Sequence, residues 1–490
     1  MDVESSNKAG PARRIRWVWL LVILGAGGVL LGGLQVPDLF STDQNRNLAT
    51  ISASLLVGGF VVLWLILGTG LAWRKRITLL VAAAAAAVGF VICVRVEGFS
   101  GNLSPRLGWR WAAKHDESLT FDLFDDRRDA AEHADLTQTS EHDFPQFLGP
   151  QRDATVEAPA FARDWPAHPP RKLWRKAIGA GWSSFAVVGR HALTQEQRGN
   201  LEMVTCYNAL TGEPLWWHAD EGRFSATISG DGPRATPTIV DGRVYTLGAL
   251  GTLNCLDGGS GELLWSHNVI KENGASKPEW GKSCSPLVVG DLVIVSAGGP
   301  DGHSLVAYDK QTGEMAWHGG DQPSSYASPR LVRLAGAEQI LIVNQTAVTA
   351  HDPDDGHVLW NFDWAGGEPK VADAVAVDGD RVFIAAGYGL GCKLLKIAST
   401  DGRLSARVAW QNTHLRPKFA NVVVHDGHVF GLDDGKALAC LELKSGKRRW
   451  RGGRYGHGQI LLVNDLLLVQ AESGEVVLVE ASPERFKELT

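Results

Sequence analysis

The chain has 490 residues, room for two or more units and a large buried core. A net charge of −6 and the lack of any nucleic-acid motif exclude a protein recruited to nucleic acid by a global basic field. With 56 glycines, 18 tryptophans and 3 methionines, the composition suits many short strands joined by tight turns, with large aromatic rings filling the gaps.

Three apolar stretches occupy the first hundred residues: Trp17–Val36, Leu48–Trp73 and Ile77–Val94. Each is near or above the ~18–20 residues needed to cross a bilayer core, and none carries an internal charge. The pattern predicts a transmembrane region over residues 1–96. Basic residues are retained on the cytoplasmic side. Arg13, Arg14 and Arg16 precede the first stretch, and Arg74, Lys75 and Arg76 separate the second from the third. This places the N-terminus inside and everything after Val94 outside, in a bacterial-type inner membrane with the rest of the chain on the periplasmic side.

Residues 97–143 read as an acidic extracytoplasmic linker. From Glu97 to Pro150 there are eleven acidic residues against five Lys or Arg, with little sustained periodicity. A short helix is expected around Asp126–Ala134. Trp109, Arg110 and Trp111 have the chemistry of an interfacial anchor.

From residue 144 to 490 the dominant signal is an internal repeat. The segment from Cys206 to Trp216 recurs from Cys255 to Trp265, Ala307 to Trp317, Ala350 to Trp360 and Cys440 to Trp450. A degenerate copy ends at Trp410, and an isolated strand around Trp174 precedes the first copy. Successive tryptophans stand 42, 49, 52, 43, 50 and 40 residues apart, the length of a four-stranded propeller blade. In each unit an alternating strand runs into Thr-Gly, Ser-Gly or Asp-Gly, where glycine supplies the positive φ of a tight hairpin. The following strand carries the tryptophan, whose ring is expected to cover the seam to the next blade. Units begin near Ser184, Thr236, Ser285, Ser328, Ala374, Asn421 and Gln459. The expected fold is therefore an all-β propeller of seven blades, each of four antiparallel strands, behind a three-helix transmembrane segment. Eight blades would need one unit more than the sequence supplies. The strand Leu173–Ala177 is expected to complete the last blade and close the ring.

The Ala-x-Asp-x-x-Thr-Gly-x-x-x-Trp pattern resembles the pyrroloquinoline-quinone (PQQ)-like repeat. That repeat occurs in quinoprotein alcohol dehydrogenases and in the outer-membrane protein assembly factor B family. The stretch from Asp143 to Asp153 is similar to the opening signature of a bacterial PQQ-binding-like subgroup, as are Gly232–Pro237 and Gly387–Cys392. The resemblance implies a propeller, and either of two functions. One is a non-catalytic binding or assembly scaffold. The other is a PQQ-dependent or other small-molecule oxidoreductase that uses the channel mouth, with PQQ and calcium as its cofactors.

The residues favour the scaffold. Quinoprotein dehydrogenases as a family use carboxylate calcium ligands, a catalytic Asp and often a disulfide between adjacent cysteines. This chain has no Cys-Cys pair and no Cys-x-x-Cys-His haem site, and no calcium ligand or catalytic Asp can be matched residue by residue. The run Asp352–Gly356 falls at the Thr-Gly position of the repeat and reads as a plain Asp-Gly turn rather than a calcium loop. Cys206, Cys255 and Cys440 share one repeat position and read as buried structural thiols; a Cys284–Cys392 disulfide is left open. No catalytic or metal residue is assigned.

Loops leading into the innermost strands of a propeller cluster at one mouth of its channel. Those loops carry Trp182, Arg234, Lys282, Tyr326, Lys370, Lys418 and His457. A ring of cations with aromatics between them suits an anionic small ligand, a quinone carboxylate or an acidic stretch of a protein partner. The tryptophans Trp174, Trp216, Trp265, Trp317, Trp360, Trp410 and Trp450 are assigned to structure instead.

Overall fold

Apolar runs free of proline fold as three helices at the start of the chain: α1 (Trp17–Gly33), α2 (Asp43–Leu67) and α3 (Trp73–Cys93). This is seen in a computed structural model that describes residues 17–36, 39–40, 43–119, 134–159 and 161–490. Two of these helices, α2 and α3, are long and apolar enough to cross a membrane. The expectation of three spans is corrected: α1 ends at Gly32–Gly33, and its 17 residues rise about 25 Å, short of a ~30 Å hydrocarbon core. Helix α1 packs on α2 through Gly27, where an added Cβ would lie 2.9 Å from Val57. The rings of Trp17 and Trp64 meet at 5.9 Å. The boundaries of the other two helices also shift. Trp73, Arg74, Lys75 and Arg76 form the first turn of α3, and the Arg76 guanidinium turns back to the Ile66 carbonyl in the last turn of α2 and to the Thr69 and Leu71 carbonyls that follow it.

After α3 the chain turns into a hairpin, Val94–Phe99 paired with Pro105–Trp109. Trp109 and Trp111 stack at 5.0 Å beyond it. Two compact units divide at Ala112/Ala113. In the second unit, Arg223 binds both Asp116 and Asp231, at 2.5 and 2.7 Å, and Lys114 binds Asp231 at 3.0 Å. Residues of the stretch read as a tether thus make ion pairs with the propeller's first loops. The short helix expected around Asp126–Ala134 lies outside the described residues except for Ala134, which is buried with Leu136 against the first two sheets.

The rest is β. Seven four-stranded sheets follow one another among the described residues, six of them built in chain order from antiparallel neighbours. The first runs through Ala186–Val188, His191–Arg198, Leu201–Asn208 and Pro214–Glu221. Asp-Gly turns set the register of several inner hairpins. At Asp241-Gly242 both φ angles are positive (51° and 75°), as a two-residue type I′ turn requires. The middle strands are buried along most of their length, as sheets packed on both faces require, and their apolar residues meet those of the neighbouring sheet in clusters such as Tyr245, Leu253, Val293, Val295 and Val306.

The repeat has a common geometry. Cys206, Cys255, Ala307, Ala350 and Cys440 each sit directly across from Trp216, Trp265, Trp317, Trp360 and Trp450, and a register shift follows each of these pairs. The small residue and the bulge give the indole room to lean out over the next sheet. Trp216 donates to the Gly258 carbonyl at 2.9 Å, Trp317 to Pro353 at 3.1 Å and Trp410 to Leu443 at 2.9 Å. Trp360 is the exception. The sheet it faces replaces the short turn by a long hairpin, Gly391–Thr400 with Arg403–Asn412, and Trp360 donates instead to Gln339 in its own sheet.

Ring closure differs from expectation. Residues 173–177 form no strand, although Trp174 donates to the Ala209 carbonyl at 2.9 Å as a repeat tryptophan would. The last sheet is finished at its outer edge by residues 487–490: Leu478 N–H donates to the Thr490 carbonyl, the Leu478 carbonyl accepts from Leu489 N–H, and Glu480 N–H donates to the Lys487 carbonyl. The residues that follow Glu480 can turn back on that strand, so no earlier segment is needed. At the inner edges a second device operates. Phe144 pairs with Val187 in the first sheet, the Pro145 carbonyl accepts from Ile239 in the second, and Thr155–Val156 run parallel to Leu462–Val463 in the seventh. Cys284 and Cys392 are free thiols, buried like Cys206, Cys255 and Cys440.

Candidate functional site

A chain of hydrogen bonds links the sheets where their inner strands begin. Thr236 N–H donates to Ser285 Oγ, Ser285 N–H to Ser328 Oγ, Ser328 N–H to Asp373 Oδ1 and Asp373 N–H to Asn421 Oδ1, all between 2.7 and 3.0 Å. These residues hold one repeat position, and counting back from them separates five of the seven expected mouth residues into two groups. Arg234 and Tyr326 stand two residues before this position, whereas Lys282, Lys370 and Lys418 stand three before it. A step of one residue along an extended chain turns the side chain to the opposite side.

The three lysines accordingly turn inward, which corrects the expectation of a solvent-facing cation ring. Lys282 is 1% exposed, and its ammonium donates to the Ser296 and Ala297 carbonyls and to Ser324 Oγ. Burial brings it down to about 8. Lys370 donates to the Gln345 and Gly366 carbonyls and lies 5.5 Å from the Trp364 ring. The Lys418 ammonium sits between the rings of Tyr388 and Phe419, at 4.8 and 5.0 Å. Burial lowers both of these lysines as well.

The remaining four are more open to solvent. Trp182 is 60% exposed and anchors through its indole N–H on the Ser229 carbonyl, 2.9 Å away. Ile228, beside it, is 56% exposed. Arg234 threads the same loop: its guanidinium donates to Ser229, Gly230 and Gly232 and lies 4.6 Å over the Phe224 ring. Burial draws it down to about 10, while Tyr326, Glu202 and Asp231 pull the other way. Tyr326 stacks on Trp280 at 5.3 Å, and His457 lies 5.1 Å from Phe419. The structure thus brings Trp182 and Arg234 together on the Ser229 carbonyl and sets Tyr326 within the electrostatic reach of Arg234. It removes Lys282, Lys370 and Lys418 to the interior.

Sequence reasoning missed Glu202. It is buried at the end of a strand in the first sheet, accepts the Ala249 N–H at 3.1 Å, and is raised by burial to about 7. It also missed Asp373 and Arg330, which a strict alignment of the units would have flagged as polar residues at channel positions.

One branch of the resemblance implies PQQ with calcium, and among the described residues no carboxylate cluster for that pair gathers at Arg234. Calcium takes six to eight oxygen ligands, several of them carboxylates. Among the described residues, three acidic or histidine ligand atoms come within 4.8 Å of one another at Asp352, Asp355 and His357. These are engaged in the turn that docks Trp317: Asp352 Oδ1 takes the Asp354 N–H and Asp355 Oδ1 the His357 N–H. Arg234 itself is hydrogen-bonded to the Ser229, Gly230 and Gly232 carbonyls and Ser229 Oγ, and Glu202 and Asp231 act on it through charge alone.

The comparisons with known proteins agree with the architecture. A stretch of 157 residues is 31% identical to quinohemoprotein alcohol dehydrogenase ADH-IIG of Pseudomonas putida, but it takes in 29% of this chain and only 21% of that enzyme. The structure of a europium-containing methanol dehydrogenase superposes with a TM-score of 0.53 at 13% identity, covering 72% of this chain and 85% of that one, which shows a shared fold. BamB from Moraxella catarrhalis gives a TM-score of 0.45 at 17% identity, over 61% of this chain and 83% of that one. The family described as outer membrane protein assembly factor BamB matches residues 170–318, 200–451 and 344–483, well over half of the chain. The protein is therefore a PQQ-like-repeat β-propeller and belongs to that family.

Proposed function

We propose that this protein is a membrane-anchored scaffold whose seven-bladed propeller binds a protein partner at its channel mouth on the extracytoplasmic side. The observation that carries the reading is that Trp182, anchored on the Ser229 carbonyl, and Ile228, next to Ser229, are both exposed at a loop held by Arg234. An aromatic and an aliphatic side chain left in solvent on an internally braced loop make a contact surface. The cations nearby are already engaged with backbone carbonyls and rings. Membership of the assembly-factor family supports the same reading.

The anchor in this proposal is the α2–α3 pair, residues 43–93, with α1 lying against α2. Two spans leave the side unchanged. The basic turn at Arg74–Arg76 stays in the cytoplasm, so the chain after Cys93 emerges outside. Residues 97–143 lead from the anchor to the propeller, which occupies 144–490.

The oxidoreductase alternative draws on the short match to the quinohemoprotein enzyme. Titrating the detergent-solubilised full chain with PQQ and calcium separates the two. No saturable spectral change is expected, while a photo-crosslinking residue at Trp182 should trap a discrete protein in intact membranes. Saturable quinone binding with no crosslink would overturn the scaffold reading.

A further inference from the structure

The hairpin that follows α3 has two unlike faces. In its register Val94 stands opposite Trp109 and Val96 opposite Leu107, and opposed residues of a two-stranded sheet share a side. These four apolar side chains therefore make one face. Arg95, Arg106 and Gly108 alternate with them and belong to the other. Glu97 joins that second face across the bulge: it pairs with Arg95 at 2.9 Å, and its side chain fills the space where a Cβ on Gly108 would stand. The polar face is thus occupied by its own ion pair. The apolar face is uncovered. Val96, Leu107 and Trp109 are 45–55% exposed, and Trp111, stacked on Trp109, is 68% exposed. A two-stranded hairpin is marginal in water, and one with a bare apolar face more so.

The hairpin is fastened to both membrane-length helices. It begins at Val94, directly after Cys93, the last residue of α3. At its far end Arg110 donates through its N–H to the Cys93 carbonyl and through Nε to the Val91 and Val94 carbonyls, at 2.9 to 3.1 Å. Asn47, near the start of α2, holds the hairpin's turn, donating to the Asn102 carbonyl at 2.8 Å and to Ser104 Oγ at 3.2 Å. The hairpin therefore bridges the start of α2 and the end of α3. Here the helices change character: α2 opens with the Asp43–Arg46 ion pair, while Val91 and Ile92 are still exposed in the last turn of α3. We infer that the hairpin lies in the headgroup interface of the extracytoplasmic leaflet. Lipid covers Val96, Leu107, Trp109 and Trp111, and Arg95, Glu97 and Arg106 face water. Tryptophan is favoured at that depth. The unpaired outer edges of the two strands need water or headgroups as partners, which keeps the hairpin out of the hydrocarbon core. Its role is to fix the depth at which α3 ends. This inference rests on the membrane anchor proposed above.

The test uses the full chain in nanodiscs of phosphatidylethanolamine and phosphatidylglycerol. Cys93→Ser leaves only buried thiols, so a nitroxide can be placed singly through Leu107→Cys, Arg106→Cys or Leu55→Cys. Leu55 is exposed in the middle of α2 and reports on the anchor alone. Collisions with oxygen, relative to a water-soluble nickel chelate, should be several-fold more frequent for the label at 107 than for the label at 106. If Leu107→Cys does not fold, Val96→Cys reports on the same face. Equal nickel access at 107 and 106, with the label at 55 still rich in oxygen, overturns the hairpin's placement and leaves the anchor standing. Nickel access at 55 overturns both. A label at 107 shielded from both reagents puts protein, such as a second copy of the chain, on the apolar face in place of lipid and also overturns the inference.

Discussion

The indole of Trp317 donates to the Pro353 carbonyl of the next sheet, 3.1 Å away, and its face lies so close to Gly356 that an added Cβ there would come within 2.4 Å of the ring. The glycine's φ of 76° and its lack of a side chain are both used at once: one makes the turn, the other admits the ring. Replacing Trp317 by Ala removes the contact and opens a cavity between two sheets. A loss of about 3–5 kcal/mol is expected, read as a lower midpoint in urea. Gly356→Ala should be comparably damaging although it adds a single methyl, because the turn and the ring both reject it.

That relationship was legible in the sequence. Thr-Gly or Asp-Gly followed four residues later by Trp recurs at a blade-length period, so the type of element, its turn and its docking residue were all encoded locally. The lysines of the mouth were not. Periodicity places the start of each inner strand, but Lys282 and Arg234 differ by one residue in register, and that step decides whether a side chain turns into the sheet or towards the mouth. The closure of the last sheet was misread for a related reason. Trp174 carries the chemistry of a repeat tryptophan and does dock as one, yet strand pairing depends on which segment reaches the free edge, and the residues after Glu480 are nearer in the chain. The Asp143–Asp153 stretch carries no periodic signal of its own. Its role along the inner edges rests on contacts with residues more than a hundred positions away, such as Arg152 with Pro286.

Deleting residues 484–490 should leave the outer edge of the last sheet unpaired and strip Phe486 from Trp450, whose rings lie 5.7 Å apart. A Tm lower by several degrees and concentration-dependent aggregation are expected. Removing Arg171–Ile178 should cost less, since that segment contributes the Trp174 contact but no strand. The opposite ranking of the two deletions would return closure to the earlier segment.

The position of Arg74, Lys75 and Arg76 at the start of α3 fixes the expected topology. A reporter active only in the cytoplasm should be silent when fused after Thr490 and active when fused within the Gly68–Ala72 turn. Replacing all three basic residues by Gln should weaken this preference and give a mixed signal from the Thr490 fusion. A strong cytoplasmic signal from that fusion in the native chain would reverse the assignment of the propeller to the outside.

Lys282 decides whether the inward register is real. Its folded value is about 8 against an ordinary 10.5, so between those pH values the unfolded chain holds a proton that the folded chain has released. Stability contributed at this position therefore rises as pH increases from about 8 to 10.5, and below 8 the cost of burying the charge is present in full. The gap corresponds to roughly 3 kcal/mol across the window. Lys282→Met removes the charge, but it also leaves the Ser296 and Ala297 carbonyls without their donor, at about 1–3 kcal/mol each. At pH 7 these effects oppose each other, and a net loss of about 2 kcal/mol is expected because two buried acceptors go unpaired. Above pH 8 the advantage of the native chain over the Met variant should grow, since only the native chain sheds a charge on folding. Urea melts of both proteins at pH 7, 8.5 and 10 measure that difference directly. A difference that stays flat with pH, together with a loss below 1 kcal/mol, would put Lys282 back at the solvent-facing mouth where its register in the sequence first suggested it.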